Sequence, residues 1–426
     1  MSNHSFIKEV IKEKPLDKRK LMIKVVMLII AAVLFGVVAA ITFAHTRVVV
    51  DKNIEARKGP DNVDITGDEE ESTPVSPSRA PTPTPSPEVT PAGEEEQLPP
   101  PEPAELGLME YKKLYRDMKD VSQKAEKSIV TVIGIKSEID YLKDTYDNRG
   151  QRSGVIIANN GRELLVLTEH SVIDGVDKIQ IAFPNGKTAD AKYQKHDENS
   201  GLTIVKILLE EVDTETMDSI ITAPLGNSHK LKQGEPIIAV GSPTGSSDSI
   251  AFGAATSVTN KVSVWDTEYS LITTDILGAK SGSGVLLDLD GEIVGIVSQS
   301  YSNENNTVTA LAISPIRNLI QTLSNNGDLH YLGIKGKEVT EDIANDTGIP
   351  QGIWIENSNQ DSPAMRAGVM GGDVIVRLNE ADVQTIAEYS KELNGSLVGS
   401  AVKLTIMRRG TDGYEEIVFD VMVEAL

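Results

Sequence analysis

The sequence predicts a mainly β protein: an all-β barrel or sandwich, then a compact α+β unit, with one apolar helix near the amino end. Three observations carry this. Short β-branched and apolar runs recur between Gly, Asn and Asp turn signals from Ser128 to Ile296. Around Tyr331 the pattern changes, and Asp373-Val-Ile-Val-Arg-Leu378 and Val402-Lys-Leu-Thr-Ile-Met407 flank a helical stretch from Asp382 to Leu393. Near the amino end, Val25 to Ala44 carries no charge and is long enough to span a bilayer.

Residues 1–24 form a basic tail, with Lys14, Lys18, Arg19, Lys20 and Lys24 gathered before the apolar run of 25–44. A signal peptide ending at Thr42-Phe43-Ala44 is the competing reading, but the run is long for a signal core and favours a retained anchor. Its basic flank places Met1 in the cytoplasm and everything after His45 outside. Residues 45–107 then read as a disordered linker. Pro81-Thr-Pro-Thr-Pro-Ser-Pro87, Glu94-Glu-Glu96 and Pro99-Pro-Pro101 cannot bury enough apolar area to fold, and the prolines stiffen the spacer. Leu106 to Lys127 has Leu106, Met109, Leu114, Met118, Val121 and Ala125 near helical spacing, giving a leading helix.

Strands are expected at Ser128–Ile135, Gly154–Ile157, Glu163–Thr168, Lys178–Phe183, Leu202–Ile207, Pro236–Val240 and Glu292–Ile296. They belong to a domain over 108–325, with the α+β unit over 326–426. The stretch Thr273–Ile296 carries the chemistry of interest. Ser281-Gly-Ser-Gly284 lies between two apolar runs, and glycines there let backbone N–H groups approach an oxygen that a serine attacks. An ordinary hairpin loop has the same composition.

The chain's 63 acidic against 41 basic residues, net −22, argue against nucleic acid as a partner. Much of the acid lies in the linker, so it does not argue for a cationic substrate. Without cysteine there are no disulfides, thiolate metal sites or cysteine nucleophiles. No motif calls for a metal or a cofactor.

The order of Ser153-Gly-Val-Ile-Ile157, Val166-Leu-Thr-Glu-His-Ser-Val-Ile-Asp-Gly175, Leu202-Thr-Ile-Val-Lys-Ile207, Val240-Gly-Ser-Pro-Thr-Gly245, Thr274-Asp275 and Gly291-Glu-Ile-Val-Gly-Ile296 resembles the trypsin-like domain of HtrA/Deg serine proteases. Tyr331-Leu-Gly-Ile334 and Ser362-Pro-Ala-Met-Arg-Ala-Gly368 resemble the PDZ domain that follows it. The resemblance implies a trypsin-like double β-barrel with a cleft between the barrels, a PDZ domain, a bacterial envelope location and, by family habit, a homotrimer. It also implies a serine nucleophile, a histidine base and an orienting aspartate.

Carried over by position, the histidine's place is held by Ser171, with His170 one residue early, and the aspartate's place by Gly201. A shift of one residue turns a side chain to another face, so His170 serves as base only if the local register moves. Asp197 and His196 lie too early for the aspartate's role, and His4, His45, His229 and His330 fall outside the triad segments. Counting forward from Thr274-Asp275 puts the nucleophile at Ser283; counting back from Gly291 puts it on Gly282. Lys280 is a candidate for a serine–lysine dyad. In the PDZ segment Tyr331, Leu332, Gly333 and Ile334 match the loop that captures a peptide's terminal carboxylate, with Val383–Leu393 as the groove's helical wall.

Three functions stay open on this reading. One is a membrane-anchored, catalytically impaired or inactive protein that binds exposed peptide termini or unfolded proteins in envelope quality control. The second is an active serine endopeptidase using Ser283 with a displaced base. The third is a structural envelope assembly protein.

Overall fold

The structure is a computed structural model, and it describes residues 22, 27, 60–65, 67–68, 107–136, 150–302 and 306–426. The basic tail except Met22, the apolar run except Met27, and most of the linker lie outside these residues. Among the described residues no helix is long and apolar enough to cross a membrane.

Helix α1 (Leu108–Glu126) leads into the first barrel. Its buried residues are Met118, Ser122 and Ala125, close to one helical face, and the anticipated Met109 and Leu114 stay exposed. The first barrel contains β1 (Ile129–Ile135), β2 (Gln151–Asn159), β3 (Glu163–Glu169), β4 (Lys178–Ala182), β5 (Thr188–His196) and β6 (Leu202–Leu208). They close in the order β1-β2-β3-β6-β5-β4. A short helix α2 (Thr214–Ser219), capped by the Asp213 carboxylate on the Thr216 N–H, precedes the second barrel. That barrel joins β7 (Pro236–Ser242), β8 (Ser249–Val264), β9 (Thr267–Leu277), β10 (Ser283–Leu287), β11 (Ile293–Val297) and β12 (Thr307–Ala312) in the closed order β10-β11-β12-β9-β8-β7.

Several strands are apolar on both faces, and the topology explains why. On β6, Leu202 and Ile204 enter a core shared by the two barrels, while Val205 and Ile207 fill the first barrel's interior. The same alternation divides Leu165 and Leu167 from Leu164 and Val166 on β3, and Ile238 and Val240 from Ile237 and Ala239 on β7. Closure also removes edge strands, which suits such apolar ribbons. Helix α3 (Ile313–Ser324) ends the domain and buries Ile313, Ile316, Ile320 and Leu323 in the shared core.

Within the span read as a disordered linker, Val63, Ile65 and Asp68 lie against this helix. Val63 is buried, its N–H donates to Asn325 Oδ1 at 2.8 Å and its carbonyl accepts from Asn325 Nδ2 at 2.8 Å. Ile65 N–H bonds Gln321 Oε1, and Asp68 pairs with Arg317 at 3.0 Å. The short apolar pair Val63 and Ile65, set among linker-like residues, supplies the contact.

The PDZ unit contains β13 (His330–Tyr331), β14 (Ile334–Val339), α4 (Glu341–Thr347), β15 (Gly352–Ser358), α5 (Pro363–Ala367), β16 (Val374–Leu378), β17 (Ala381–Asp382), α6 (Ile386–Asn394), β18 (Ala401–Arg409), β19 (Tyr414–Met422) and β20 (Glu424–Ala425). Its main sheet runs β14-β15-β16-β18-β19, which leaves β14 at an edge. Its own core includes Ile334, Ile353, Ile355, Ile375, Leu404 and Ile406. The anticipated helix begins later than Asp382 because Ala381–Asp382 turn back to pair with β16, and Thr385 then opens α6 with a capping box to Glu388.

Candidate catalytic and peptide-binding sites

Strand β3 ends at Glu169 and tightens into a 3-10 turn, His170–Val172. Pairing of β3 with β6 sets Glu169 opposite Leu202, and the His170 N–H donates to the Gly201 carbonyl at 2.7 Å. The segments holding Ser171 and Gly201 are thus neighbours through the backbone. Ser171 is exposed and its hydroxyl reaches Glu169 Oε2 at 3.3 Å; the same oxygen accepts Arg152 Nε at 3.2 Å. Burial pushes the Glu169 carboxyl above its ordinary value, against the pull of Arg152. Gly201 has φ +70°, and a Cβ there would meet nothing within 4 Å.

His170 does not face Ser283 through any hydrogen bond among the described residues. Its ring stacks on His196, with centroids 3.9 Å apart and planes 6° from parallel, and Tyr193 Oη lies 2.7 Å from His196 Nδ1. Burial lowers the His170 pKa, and the neighbouring His196 adds to the effect.

The loop before Gly201 is organised by Asp197, which is 2% exposed. Its Oδ2 accepts from Ser200 N–H at 2.8 Å, Ser200 Oγ at 2.6 Å and the Tyr269 hydroxyl of β9 at 2.8 Å. Burial and then the Asp197 charge raise Tyr269 well above its ordinary value. The same causes push Tyr301, whose hydroxyl donates to the Asn199 carbonyl at 2.6 Å, up to about 12.

Ser283 opens β10 opposite Ser242 and is 2% exposed. Its Oγ accepts the backbone N–H of Ser153 at 2.9 Å. Gly282 cannot carry a side chain: a Cβ would lie 2.4 Å from the Pro243 carbonyl and 2.9 Å from that of Ala279. Its N–H donates to the Ala279 carbonyl at 2.8 Å, which closes the turn ahead of Ser283. Lys280 is exposed. Between Ser153, Ser242 and Ser281 the cavity is about 10 Å³, the scale of one water. Among the described residues no cluster of three or more His, Cys, Asp or Glu could hold a metal.

The PDZ loop is arranged differently. Tyr331 pairs with Glu424 in β13–β20, and its hydroxyl accepts from Asn359 Nδ2. The N–H groups of Leu332, Gly333 and Ile334 converge on one carboxylate, that of Asp266 at the turn between β8 and β9, at 2.8, 2.6 and 3.0 Å. Gly333, at φ +80°, allows this curl; a Cβ there would lie 2.4 Å from the Ser362 Cβ. The Tyr389 hydroxyl from α6 donates to Asp266 Oδ1 at 2.7 Å, and Ser390 Oγ to the Asp266 carbonyl at 2.6 Å. Burial raises the Asp266 carboxyl and these donors oppose the rise. A cavity of about 820 Å³ flanks the turn, lined among others by Trp265, Leu319, Ser390 and Lys391.

Sequence reasoning did not find Asp266 or Tyr389. The available signal was Trp265-Asp266 between two β-prone runs, which marks a hairpin tip. That the tip reaches a loop 66 to 68 residues away is a tertiary fact.

The model for the trypsin-like peptidase domain matches residues 152–296, and that for the PDZ domain matches residues 330–417. A "Probable periplasmic serine endoprotease DegP-like" of Halomonas elongata is 27% identical over 272 residues, covering 62% of this chain and 55% of that protein. A "Probable periplasmic serine protease do/HhoA-like" of Haemophilus influenzae is 30% identical over 271 residues, covering 62% and 56%. The "Periplasmic pH-dependent serine endoprotease DegQ" of Escherichia coli is 28% identical over 279 residues, covering 64% and 59%. The match thus spans little more than half the length of these curated relatives.

Two solved structures of the HtrA-type protease AlgW, one with a decapeptide and one with a tripeptide, align with TM-scores of 0.52 and 0.54, each at 21% identity. They cover 72% of this chain and 98% and 97% of theirs. At that identity the likeness concerns the fold. Two closed six-stranded barrels, a following PDZ unit and these matches in the same order lead to one assignment: the chain carries a trypsin-like peptidase domain followed by a carboxyl-terminal PDZ domain, and it is similar to HtrA-type serine proteases.

Proposed function

We propose that this chain is a membrane-anchored, extracytoplasmic HtrA-type protein whose proteolytic centre is impaired or inactive, and whose PDZ domain binds exposed peptide carboxyl termini or misfolded proteins in envelope quality control. One observation carries the catalytic half. By the family resemblance Ser171 and Gly201 stand where the chemistry needs a base and its orienting carboxylate, and the Ser283 Oγ accepts the Ser153 N–H instead of bonding a base. A serine without a base is a poor nucleophile, and triad members act as a unit, so loss of one removes most of the acceleration.

Binding needs no acid or base. The amides of Leu332, Gly333 and Ile334 already converge on a carboxylate, as they would on a peptide's terminus, and β14 offers the edge on which a peptide adds as a strand. The peptide-bound AlgW structures support this reading. The retained apolar run of 25–44 and the envelope setting of the relatives support the location, and a homotrimer is the expected assembly.

The test treats the full chain in mild detergent with a fluorophosphonate probe and unfolded casein, beside Ser283→Ala. The expected result is labelling and cleavage no greater than in that variant. Labelling and cleavage that both vanish in Ser283→Ala overturn the inactive reading. For the PDZ half, a library of peptides with free carboxyl termini should bind saturably, and Gly333→Val should abolish binding. Binding that survives both Gly333→Val and amidation of the peptides sinks it.

A further inference from the structure

The carboxylate loop of the PDZ unit is occupied by the chain's own side chain. Asp266 presents two oxygens to three consecutive amides and to the Tyr389 hydroxyl, the arrangement that a terminal carboxylate requires. The hairpin around it lies along the edge where a peptide strand would add. The Asp266 N–H donates to the Ile334 carbonyl at 2.7 Å, and Ser263 Oγ donates to the Gly336 carbonyl at 2.7 Å, along the open edge of β14. Asp266 is 6% exposed and has φ +60°, a left-handed turn that aims its carboxylate inward.

We propose that Asp266 is an internal surrogate for a peptide's carboxyl terminus, so that the PDZ groove is self-occupied and an incoming peptide binds by displacing the tip of the β8–β9 hairpin. This deepens the peptide-binding reading and rests on it for the identity of the incoming ligand; the occupancy itself stands on the geometry. Two carboxylates cannot share three amide donors, so binding and hairpin docking are mutually exclusive. The apparent affinity is then the intrinsic affinity reduced by the fraction of molecules with the hairpin out. With four donors released on opening, that fraction should be on the order of a tenth or less, and freeing the groove should tighten binding about tenfold or more.

The experiment uses the full chain, Asp266→Ala, and Asp266→Asn as the near-isosteric variant. Two readouts are taken. Hydrogen exchange over residues 330–336 reports whether the amides are held. Anisotropy of a fluorescein-labelled decapeptide pool, with free or amidated carboxyl ends, reports binding. Faster exchange at Leu332, Gly333 and Ile334 by about tenfold in both variants, with the rest of the PDZ sheet unchanged, together with about tenfold tighter binding of the free-acid pool, supports the proposal. Unchanged exchange in both variants overturns it, whatever the peptides do. Equal affinity of parent and variants for the free-acid pool also overturns it, because displacement then has no cost. Faster exchange with no binding by any protein keeps the self-occupied loop and removes the peptide reading on which its ligand rests.

Discussion

Replacing Asp197 should unfold the joint between the barrels more readily than any surface change. The carboxylate is 2% exposed and accepts the Ser200 N–H and hydroxyl and, from the other barrel, the Tyr269 hydroxyl, itself on a residue 5% exposed. Asp197→Ala leaves these buried donors without an acceptor. At about 1–3 kcal/mol for each unsatisfied group, with Ser200 free to find a substitute partner, the loss comes to about 3–5 kcal/mol. That is a large part of the roughly 5–15 kcal/mol that holds a domain together. Tyr269→Phe removes one bond to a charged acceptor and should cost about 1.5–3 kcal/mol.

Urea unfolding followed by tryptophan fluorescence measures both, since Trp265 accepts at its carbonyl from Asn199 of the same loop. The double variant should show a coupling of about 1 kcal/mol or more. A spectrophotometric titration adds an independent readout. Asp197→Asn should lower the Tyr301 phenol from about 12, yet leave it above the ordinary value because burial, the larger cause, remains. A loss below about 1 kcal/mol in Asp197→Ala, or no coupling with Tyr269→Phe, refutes the assignment of this carboxylate as the bolt between the barrels.

Gly284→Ala should cost at least about 3 kcal/mol, because a Cβ would sit 2.1 Å from the Val240 carbonyl at φ +129°; soluble yield and thermal midpoint report it. In the PDZ unit, buried Asp373 holds Arg408 through two bonds of 2.7 Å and accepts the Met370 N–H at 2.9 Å. Arg408→Lys gives up the fork and should lose about 1 kcal/mol, whereas Asp373→Ala should lose about 3 kcal/mol in denaturant unfolding. The His170 pKa is depressed by burial, so its neutral form contributes stability that is present above its unfolded value near ~6.5 and is lost as pH falls through the lower folded value. The thermal midpoint should therefore fall between neutral and mildly acid pH in the parent and fall less in His170→Gln.

The barrels were legible where strand residues repeat in apolar runs. Leu164 to Leu167 and Leu202 to Ile207 announce strands because both faces are buried, one inside a barrel and one between barrels. Strand β5 was not legible: Thr188 to His196 is mostly polar and partly exposed, so its pairing with β4 and β6 left no periodic apolar trace. The length of the β8–β9 hairpin left only the faint turn signal at Trp265-Asp266, since Asn260, Lys261 and Thr267 are not buried and the ribbon extends to the PDZ unit. Val63 escaped notice because a single buried valine in an acidic, proline-rich context looks like spacer.

The two sites differ in the same way. A triad is legible because it requires particular side chains at fixed places, so the family resemblance directs attention to Ser171 and Gly201 as expected departures from it. A carboxylate loop is built from backbone amides, and the sequence shows only the glycine that permits it, here Gly333. What fills such a loop cannot be read locally, because Asp266 is an ordinary aspartate until the β8–β9 hairpin is long enough to carry it there. A Ser–His–Asp centre fails with one substitution, while an amide nest survives any change that keeps its turn. If the catalytic residues are lost, the PDZ loop loses no support, and under the proposal above the Asp266 contact sets peptide affinity whether or not Ser283 retains any activity.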